Sequence, residues 1–525
     1  MIWVILLWIA ASAAAVLEAI RCVHMLQLES YKLAGYRAWV MAHTKSWLPA
    51  LLVMAAVGVA ASLLASVSAL ASVLAVCAGA VIAVVRFVIY QRAPKKKPLV
   101  YTQRVQRLLS CYSVLALVQC ALILALVPWF LVGLLLLPAA IAPFEVLLAA
   151  AVMQPAERGV QRRLFNEAKT KLARMQNTVK IGITGSYGKT SAKFALGTIL
   201  SERFKTVVTP QSYNTPMGVT RVIREQLDDS CEVFVSEMGA RFVGDIAEMC
   251  DLVGPRYGLI TSVGPQHLET FGSQENVNKT KYELIDALPE DGVGFFPHDG
   301  DICDALYEKT QKPKVRFGFD ETCDIAAEDI QVTCEGSAFT LVDRRAGGRV
   351  ACSTKLLGRH NIQNILGACA VARALGMSME EIARGVAKIA PVEHRLQLLP
   401  PNNGITVIDD AFNANPVGTR MAMEVLAQFP GRRIVITPGM VELGAREAEL
   451  NEAFGAQMAK AADIAILIGK KRSEPIARGL QSAGFDAANL HVVGSLDEAS
   501  ALLATLSRVG DVVLFENDLP DQYEE

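Results

Sequence analysis

Three long apolar runs open the chain, and short apolar segments alternating with amphipathic ones follow. Residues 1–20 are apolar up to Glu18, residues 48–90 carry Arg86 as their one charge, and residues 108–153 carry Glu145 as theirs. A helix needs about 20 apolar residues to cross the hydrocarbon core. The first run is therefore read as one span and each longer run as two, about five in all. The turns are expected near Ala65–Ser68 and Pro128–Phe130.

Beyond residue 153 the pattern changes. Residues 154–178 are charged and helix-compatible, a linker helix. From 179 the strand-like runs are Val179–Ile183, Glu232–Val235, Tyr257–Ser262, Gly292–Phe296 and Val315–Phe317, with helical stretches near 189–203, 216–227, 243–250 and 275–287. That alternation predicts a parallel sheet covered on both faces. Short antiparallel strands are expected within 326–356 and two helices near 360–375 and 378–389. After Pro391 a second alternation begins. Its strands are Ile405–Ile408, Arg433–Thr437, Ile464–Ile468, His491–Val493 and Val512–Phe515, with helices at 416–428, 446–461, 472–483 and 496–506. The predicted architecture is multi-domain: transmembrane α-helices over 1–153, the linker over 154–178, an α/β P-loop ATPase domain over 179–390, and a doubly wound, Rossmann-like α/β domain over 391–525.

Lysine and arginine set the expected orientation. They gather in 21–46 (Arg21, Lys32, Arg37, Lys45), in 91–107 (Arg92, Lys95, Lys96, Lys97, Arg104, Arg107) and after the last span (Arg158, Arg162, Arg163, Lys169, Lys171, Arg174). The N-terminus and the two short turns carry none. Positive residues stay inside, which predicts a multi-pass protein of the plasma (inner) membrane, N-terminus outside and residues 154–525 cytoplasmic. No positive segment precedes the first apolar run, so no cleaved signal peptide is expected. Arg86 is expected to snorkel. Glu145 is expected to face a helix partner or the inner headgroups, with nothing else in the spans to pair with it.

A formal net charge of −1 provides no basic field for nucleic acid. The 11 cysteines include no C-x-x-C pair, which argues against a zinc site and for free thiols.

Residues 180–191 read Lys-Ile-Gly-Ile-Thr-Gly-Ser-Tyr-Gly-Lys-Thr-Ser, a strand entering a Gly-rich turn and then a helix. Such a turn wraps backbone N–H groups around phosphates, aims the lysine at the β/γ oxygens and offers a hydroxyl to Mg²⁺. The strict phosphate-loop pattern needs glycine at 183, where this chain has Ile183, so ATP binding rests on the core Thr184–Thr190. Glu237 ends a buried strand, where a carboxylate can hold a metal beside the phosphates. His267 follows another apolar strand and Lys281 sits on the next helix, and together with Glu237 they are candidates to surround a second metal.

These segments, in this order, resemble the Mur ligase family, with its D-alanyl-D-alanine-adding branch nearest in wording. The family's T-G-x-x-G-K-T loop matches Thr184–Thr190, and its E-M/L-G-A segment matches Glu237–Ala240. Ser262–Gly272 matches N-V-G-P-x-H-L-E-x-F-G with serine for the first asparagine, and Thr280–Glu283 matches A-K-x-E. Gly358–Asn364 carries G-x-H-N-x-x-N, His394–Leu396 resembles G-R-[LMF], and Ile408–Pro416 matches I-D-D-x-Y-N-A-N-P with Phe412 for tyrosine.

The resemblance implies ATP-dependent amide formation through an acyl phosphate, with ATP and Mg²⁺ required. Lys189 would hold the β/γ phosphates among Gly185, Ser186, Gly188, Thr190 and Ser191. Thr190 and Glu237 would hold one Mg²⁺, and His267 and a carbamylated Lys281 would serve a second. Asn361, Arg395 and Asp409 would contact nucleotide, and Asn214, Asn413 and Asn415 would face substrates. The implied partners are a muropeptide or lipid-linked envelope precursor and an amino-acid or dipeptide amine.

Two departures bear on the substrates. Membrane helices stand where the family has a domain for the UDP-sugar. The family branch's Lys-Gly-Ser-Arg turn after the last G-D-x-V-L strand is replaced by Phe515-Glu516-Asn517-Asp518. A membrane-bound poly-γ-glutamate-type synthase, and a non-catalytic ATP-binding scaffold or transport ATPase, remain alternatives.

Overall fold

The structure is a computed structural model. It describes every residue except Met1, Ser30, Pro94, Lys96, Ser212, His267, Asn413, Glu442 and residues 518–525. It divides into two compact units, Met1–Arg162 and Arg163–Glu525.

The first unit is helical. Four helical segments, Trp3–Leu28, Trp47–Ala65, Ala69–Arg92 and Gln103–Leu126, are long and apolar enough to cross a membrane. A fifth span results if the pair Trp129–Ala140 and Ala142–Arg174, bent by 64°, counts as one. The breaks fall where turns were expected, and Ser68 caps the helix after the first of them by accepting from Ala71 N. The linker is not a separate element: its charged residues continue the last apolar run within one helix, Ala142–Arg174.

One expectation for an intramembrane charge needs correction. Arg86 does not reach for the headgroups, because its Nε lies 2.7 Å from Glu18 Oε1 on the first helix. Glu145 faces a helix partner, as expected, and the partner is polar: the glutamate is buried, with the Gln119 and Tyr112 side chains beside its carboxyl. An apolar bundle favours such internal pairing over stretching to water.

The second unit holds two sheets. The strands of the first are β1 (Val179–Thr184), β2 (Thr206–Val208), β3 (Val233–Glu237), β4 (Tyr257–Ile260), β5 (Val293–Pro297), β6 (Lys314–Gly318), β7 (Ile325–Thr333), β8 (Gly336–Asp343) and β9 (Arg349–Thr354). Their order is β2-β3-β1-β4-β5-β6-β7-β8-β9. Pairing is parallel from β2 to β7, and the last two pairs are antiparallel. Ile181, Ile183, Val233, Val235 and Leu259 pack against Ala192, Leu196 and Ile365 in the core. The second sheet comprises β10 (Gln397–Asn402), β11 (Ile405–Asp410), β12 (Arg433–Thr437), β13 (Ile464–Ile468), β14 (Leu490–Val493) and β15 (Val512–Glu516), ordered β10-β11-β15-β12-β13-β14. All its pairs are parallel except β10–β11.

Strands β2 and β10 and the helix Ile302–Lys309 have no counterpart in the sequence expectations. Three residues are too few for β2 to show a period. The Pro400-Pro401 pair of β10 marks an edge strand, the place where a missing N–H donor is tolerated.

Candidate active site

β1 lies between β3 and β4, so three parallel strands deliver their carboxyl ends to one edge of the sheet. Ligands of open α/β sheets bind at such edges. The turn after β1 starts the helix Lys189–Leu200. Gly188 has φ +79°, and a Cβ there would stand 2.4 Å from Asn364 Oδ1. The left-handed φ favours glycine, and a side chain would in addition have to push the Asn364 amide aside. Gly188→Ala is expected to destabilise the protein by about 1–2 kcal/mol and to weaken ADP binding at least ~10-fold. Thermal melting and calorimetric titration with ADP measure the two effects.

The loop is stitched to the β4 turn. Ser186 N donates to Ser262 O at 2.7 Å, and Tyr187 N donates to Ser262 Oγ at 3.1 Å. Ser186 Oγ donates to Gly264 O at 2.9 Å. Ser262, a departure from the family wording, thus takes a direct part in holding the loop. Lys189 Nζ donates to the carbonyls of Gly185 and Ser186 at 2.7 and 3.1 Å. Burial, opposed by Glu237 and helped by Arg395, brings its ammonium down to about 8. Ser191 is half-buried in the first helical turn.

Glu237 ends β3 directly across from Ile183. It is 1% exposed, and its two oxygens receive the Thr190 hydroxyl at 3.2 and 3.1 Å. Asn214 Nδ2 donates to Oε1 at 3.0 Å and Lys193 Nζ to Oε2 at 3.0 Å. Burial pushes this carboxyl up, but Lys193 and Lys189 outweigh burial and hold it below the ordinary range. A hydroxyl beside an ionised carboxylate, at the end of a phosphate loop, is the hard oxygen donor set that Mg²⁺ prefers. The residues present therefore fit the metal.

Lys281, on the helix Gln274–Asp286, is 2% exposed. Burial first, and the Lys189 charge second, push its ammonium well below the ordinary lysine range. His267 and Asn413 lie outside the described residues.

The second sheet approaches the same place through Arg395, whose charge reaches Lys189 and Glu237. Arg395 lies between two non-glycine residues of positive φ, His394 at 58° and Leu396 at 44°. Its guanidinium stacks 4.2 Å from the centroid of the Phe412 ring.

Residues 183–372 match the Mur ligase middle domain, and residues 394–516 match the Mur ligase glutamate ligase domain. The UDP-N-acetylmuramoyl-tripeptide–D-alanyl-D-alanine ligase of Mycobacterium tuberculosis is 32% identical over 360 residues, which is 64% of this chain and 69% of the relative. The chain belongs to the Mur ligase family. The corresponding Escherichia coli enzyme is 34% identical over 295 residues, 55% of this chain and 64% of its own length. Among solved structures, MurF from Acinetobacter baumannii has a TM-score of 0.62 at 26% identity, covering 68% of this chain and 77% of that one. MurF ligase from Thermotoga maritima in complex with ADP has a TM-score of 0.61 at 25% identity, covering 68% and 80%.

Within this Mur ligase the predicted residues do not all gather. Lys189, Thr190, Glu237 and Asn214 are in contact or one shell apart, although Asn214 spends its amide on Glu237 rather than standing free for substrate. Asn361 is buried at the start of the helix Arg359–Ala374 and donates to Leu357 O at 2.8 Å. Asn415 caps the helix Pro416–Leu426, its Oδ1 accepting from Gly418 N at 2.8 Å. Asp409 turns to His394, 2.7 Å away.

It is the next residue, Asp410, whose charge meets Arg395. Asp410 is paired in register with Glu516 of β15. Desolvation raises the Asp410 carboxyl to about 6, against the opposing pull of the Leu396 N–H, Arg395 and Glu516, while desolvation and then the Asp410 charge raise Glu516 well above its ordinary range. Sequence reading singled out neither, because only the β11–β15 pairing brings two acids so far apart in the chain together. Lys193, buried against Glu237, was missed as well. Its place one helical turn after Lys189 does not by itself set it apart from a solvated helical lysine.

The acid pair has a pH consequence. Carboxyls raised in the folded state contribute stability that is complete below their unfolded values and is lost as pH rises through the folded ones, about 6 for Asp410 and well above the ordinary range for Glu516. Glu516→Gln is expected to flatten that loss. Amide exchange in β11 and β15 at pH 8 is then slower in the variant than in wild type, with little difference at pH 5.

Proposed function

We propose that this Mur ligase forms an amide bond in a cell-envelope precursor, at the face of a membrane and at the expense of ATP. The observation that carries the reading is the convergence of Lys189, Thr190 and Glu237 at the carboxyl ends of β1 and β3, in a chain of this family.

The loop N–H groups of Gly185, Ser186 and Gly188 cradle the phosphates, and Lys189 leaves its loop carbonyls to meet the β/γ oxygens. Thr190 and Glu237 hold Mg²⁺, which supplies charge neutralisation at the phosphates. His267 and Lys281 complete a second cation site on this reading. A substrate carboxylate oxygen attacks the γ-phosphorus, ADP leaves and an acyl phosphate forms. A neutral amine then attacks the acyl carbon, the C–O bond to phosphate breaks, and the amide and inorganic phosphate result. Arg395 and Asp410 bring the second domain to the nucleotide and exclude water from the acyl phosphate. The reading also holds that the apolar helices anchor the catalytic unit beside a lipid-linked muropeptide and that the amine is an amino acid or dipeptide.

The test uses the full chain in lipid nanodiscs with ATP, Mg²⁺ and D-alanyl-D-alanine. ADP release is expected to require both acceptor and amine, and to run faster with a lipid-linked muropeptide than with soluble UDP-muramoyl tripeptide. Release that ignores the amine points to a transport ATPase and sinks the ligase reading. Equal rates with the two acceptors sink the lipid part alone.

A further inference from the structure

Lys193 has no place in the roles set out above. It is nevertheless one of the largest fully buried side chains of the molecule, 0% exposed. A lysine is almost never buried to that degree without a partner. Here the partner is Glu237, whose Oε2 lies 3.0 Å from Nζ. Nζ also donates to the carbonyl of Gln211, a non-glycine residue with φ +44°. Lys193 therefore clamps two things at once: the carboxylate facing Thr190, and the segment that carries Thr209 and Asn214. That segment returns two bonds to the same strand end, Glu237 N to Thr209 Oγ1 at 3.1 Å and Asn214 Nδ2 to Glu237 Oε1 at 3.0 Å.

The donor count gives the arrangement a function. An ionised carboxylate offers about four lone-pair positions. Asn214 takes one on Oε1, Lys193 takes one on Oε2, and the Thr190 hydroxyl bridges the two oxygens. When the hydroxyl proton turns aside, one lone pair on each oxygen is left facing the phosphate loop. The other two stay held from behind. Asn214 and Lys193 thus set the direction in which Glu237 presents its charge.

We propose that Lys193 is a positioning residue for the metal. It orients Glu237 toward the Mg²⁺ that accompanies the nucleotide, and ties that carboxylate to the Gln211 segment. The inference rests on the reading that Thr190 and Glu237 hold this Mg²⁺, and it predicts a split in binding that a merely structural lysine does not produce.

The experiment titrates the full chain with ADP, with and without Mg²⁺, by calorimetry. In wild type, Mg²⁺ tightens ADP binding. In Lys193→Met, affinity without Mg²⁺ stays within ~2-fold of wild type, while the tightening by Mg²⁺ falls at least ~10-fold. Equal tightening in variant and wild type overturns the proposal, and so does an equal loss of affinity with and without Mg²⁺. A wild type whose ADP binding ignores Mg²⁺ overturns the underlying metal reading instead. If the single variant does not fold, Glu237→Gln is compared with Lys193→Met/Glu237→Gln, in which no buried charge of this pair is left alone. A residue that acts only through Glu237 adds nothing in that background. A further loss of ~10-fold or more in ADP affinity there shows direct action on the nucleotide and overturns the proposal.

Discussion

Lys189→Met is expected to lower ATP-dependent turnover about 1,000-fold while leaving the fold in place. Among the described residues the ammonium bonds only to carbonyls of its own loop. Its loss therefore removes modest net stabilisation, about 1 kcal/mol. On the proposed reading, the same group faces the charge that builds on the phosphate oxygens during phosphoryl transfer. Removing one preorganised donor from such a site costs about 3–4 kcal/mol of barrier, which is a factor of 10²–10³. Burial has already brought this ammonium down to about 8, so it arrives with little hydration to shed and gains its full charge against the triphosphate. ADP release and a melting curve on the same preparation decide the matter. A loss of less than ~10-fold removes Lys189 from the phosphates.

Lys281 is the second position of large effect. A buried lysine whose ammonium is held well below the ordinary range gives up its proton more readily than a solvated one. A neutral amine can add to CO₂, releasing a proton and forming a carbamate, which turns the side chain into an anionic oxygen ligand. On that reading Lys281→Met and Lys281→Arg are equally poor, each losing about 100-fold or more in turnover, the scale of one lost electrostatic group. Arginine keeps a cation and forms no such carbamate. If Lys281→Arg retains wild-type activity, the side chain serves as a plain cation. Carbon-13 NMR of wild type in labelled bicarbonate adds an independent readout: a carbamate signal, absent from both variants.

The legibility of this chain follows the range of the interactions involved. Strands β12 and β13 have the bounds expected of them, because continuous apolar runs between polar turns leave one way to be buried. The phosphate loop was legible for a related reason: all its parts lie within a dozen residues, and Gly188 has a left-handed φ that favours glycine. Lys193 was not legible. A lysine four residues after Lys189 looks like any solvated helical charge until β3 brings Glu237 against it. The same holds for Arg86, whose expected escape to the headgroups was overruled by Glu18, far away in sequence.

The sequence by itself determined the alternation of elements, the apolar helices of the first unit, the phosphate loop and the motifs of the Mur ligase family. These rest on local periodicity and on glycine geometry. Tertiary structure alone decided which charges meet: Lys193 with Glu237, Asp410 rather than Asp409 with Arg395, and Glu516 with Asp410. The physical reason is that periodicity records only whether a side chain faces a core or water. The partner that makes a buried charge tolerable is chosen by sheet order and register, where β1 and β3, or β11 and β15, lie side by side.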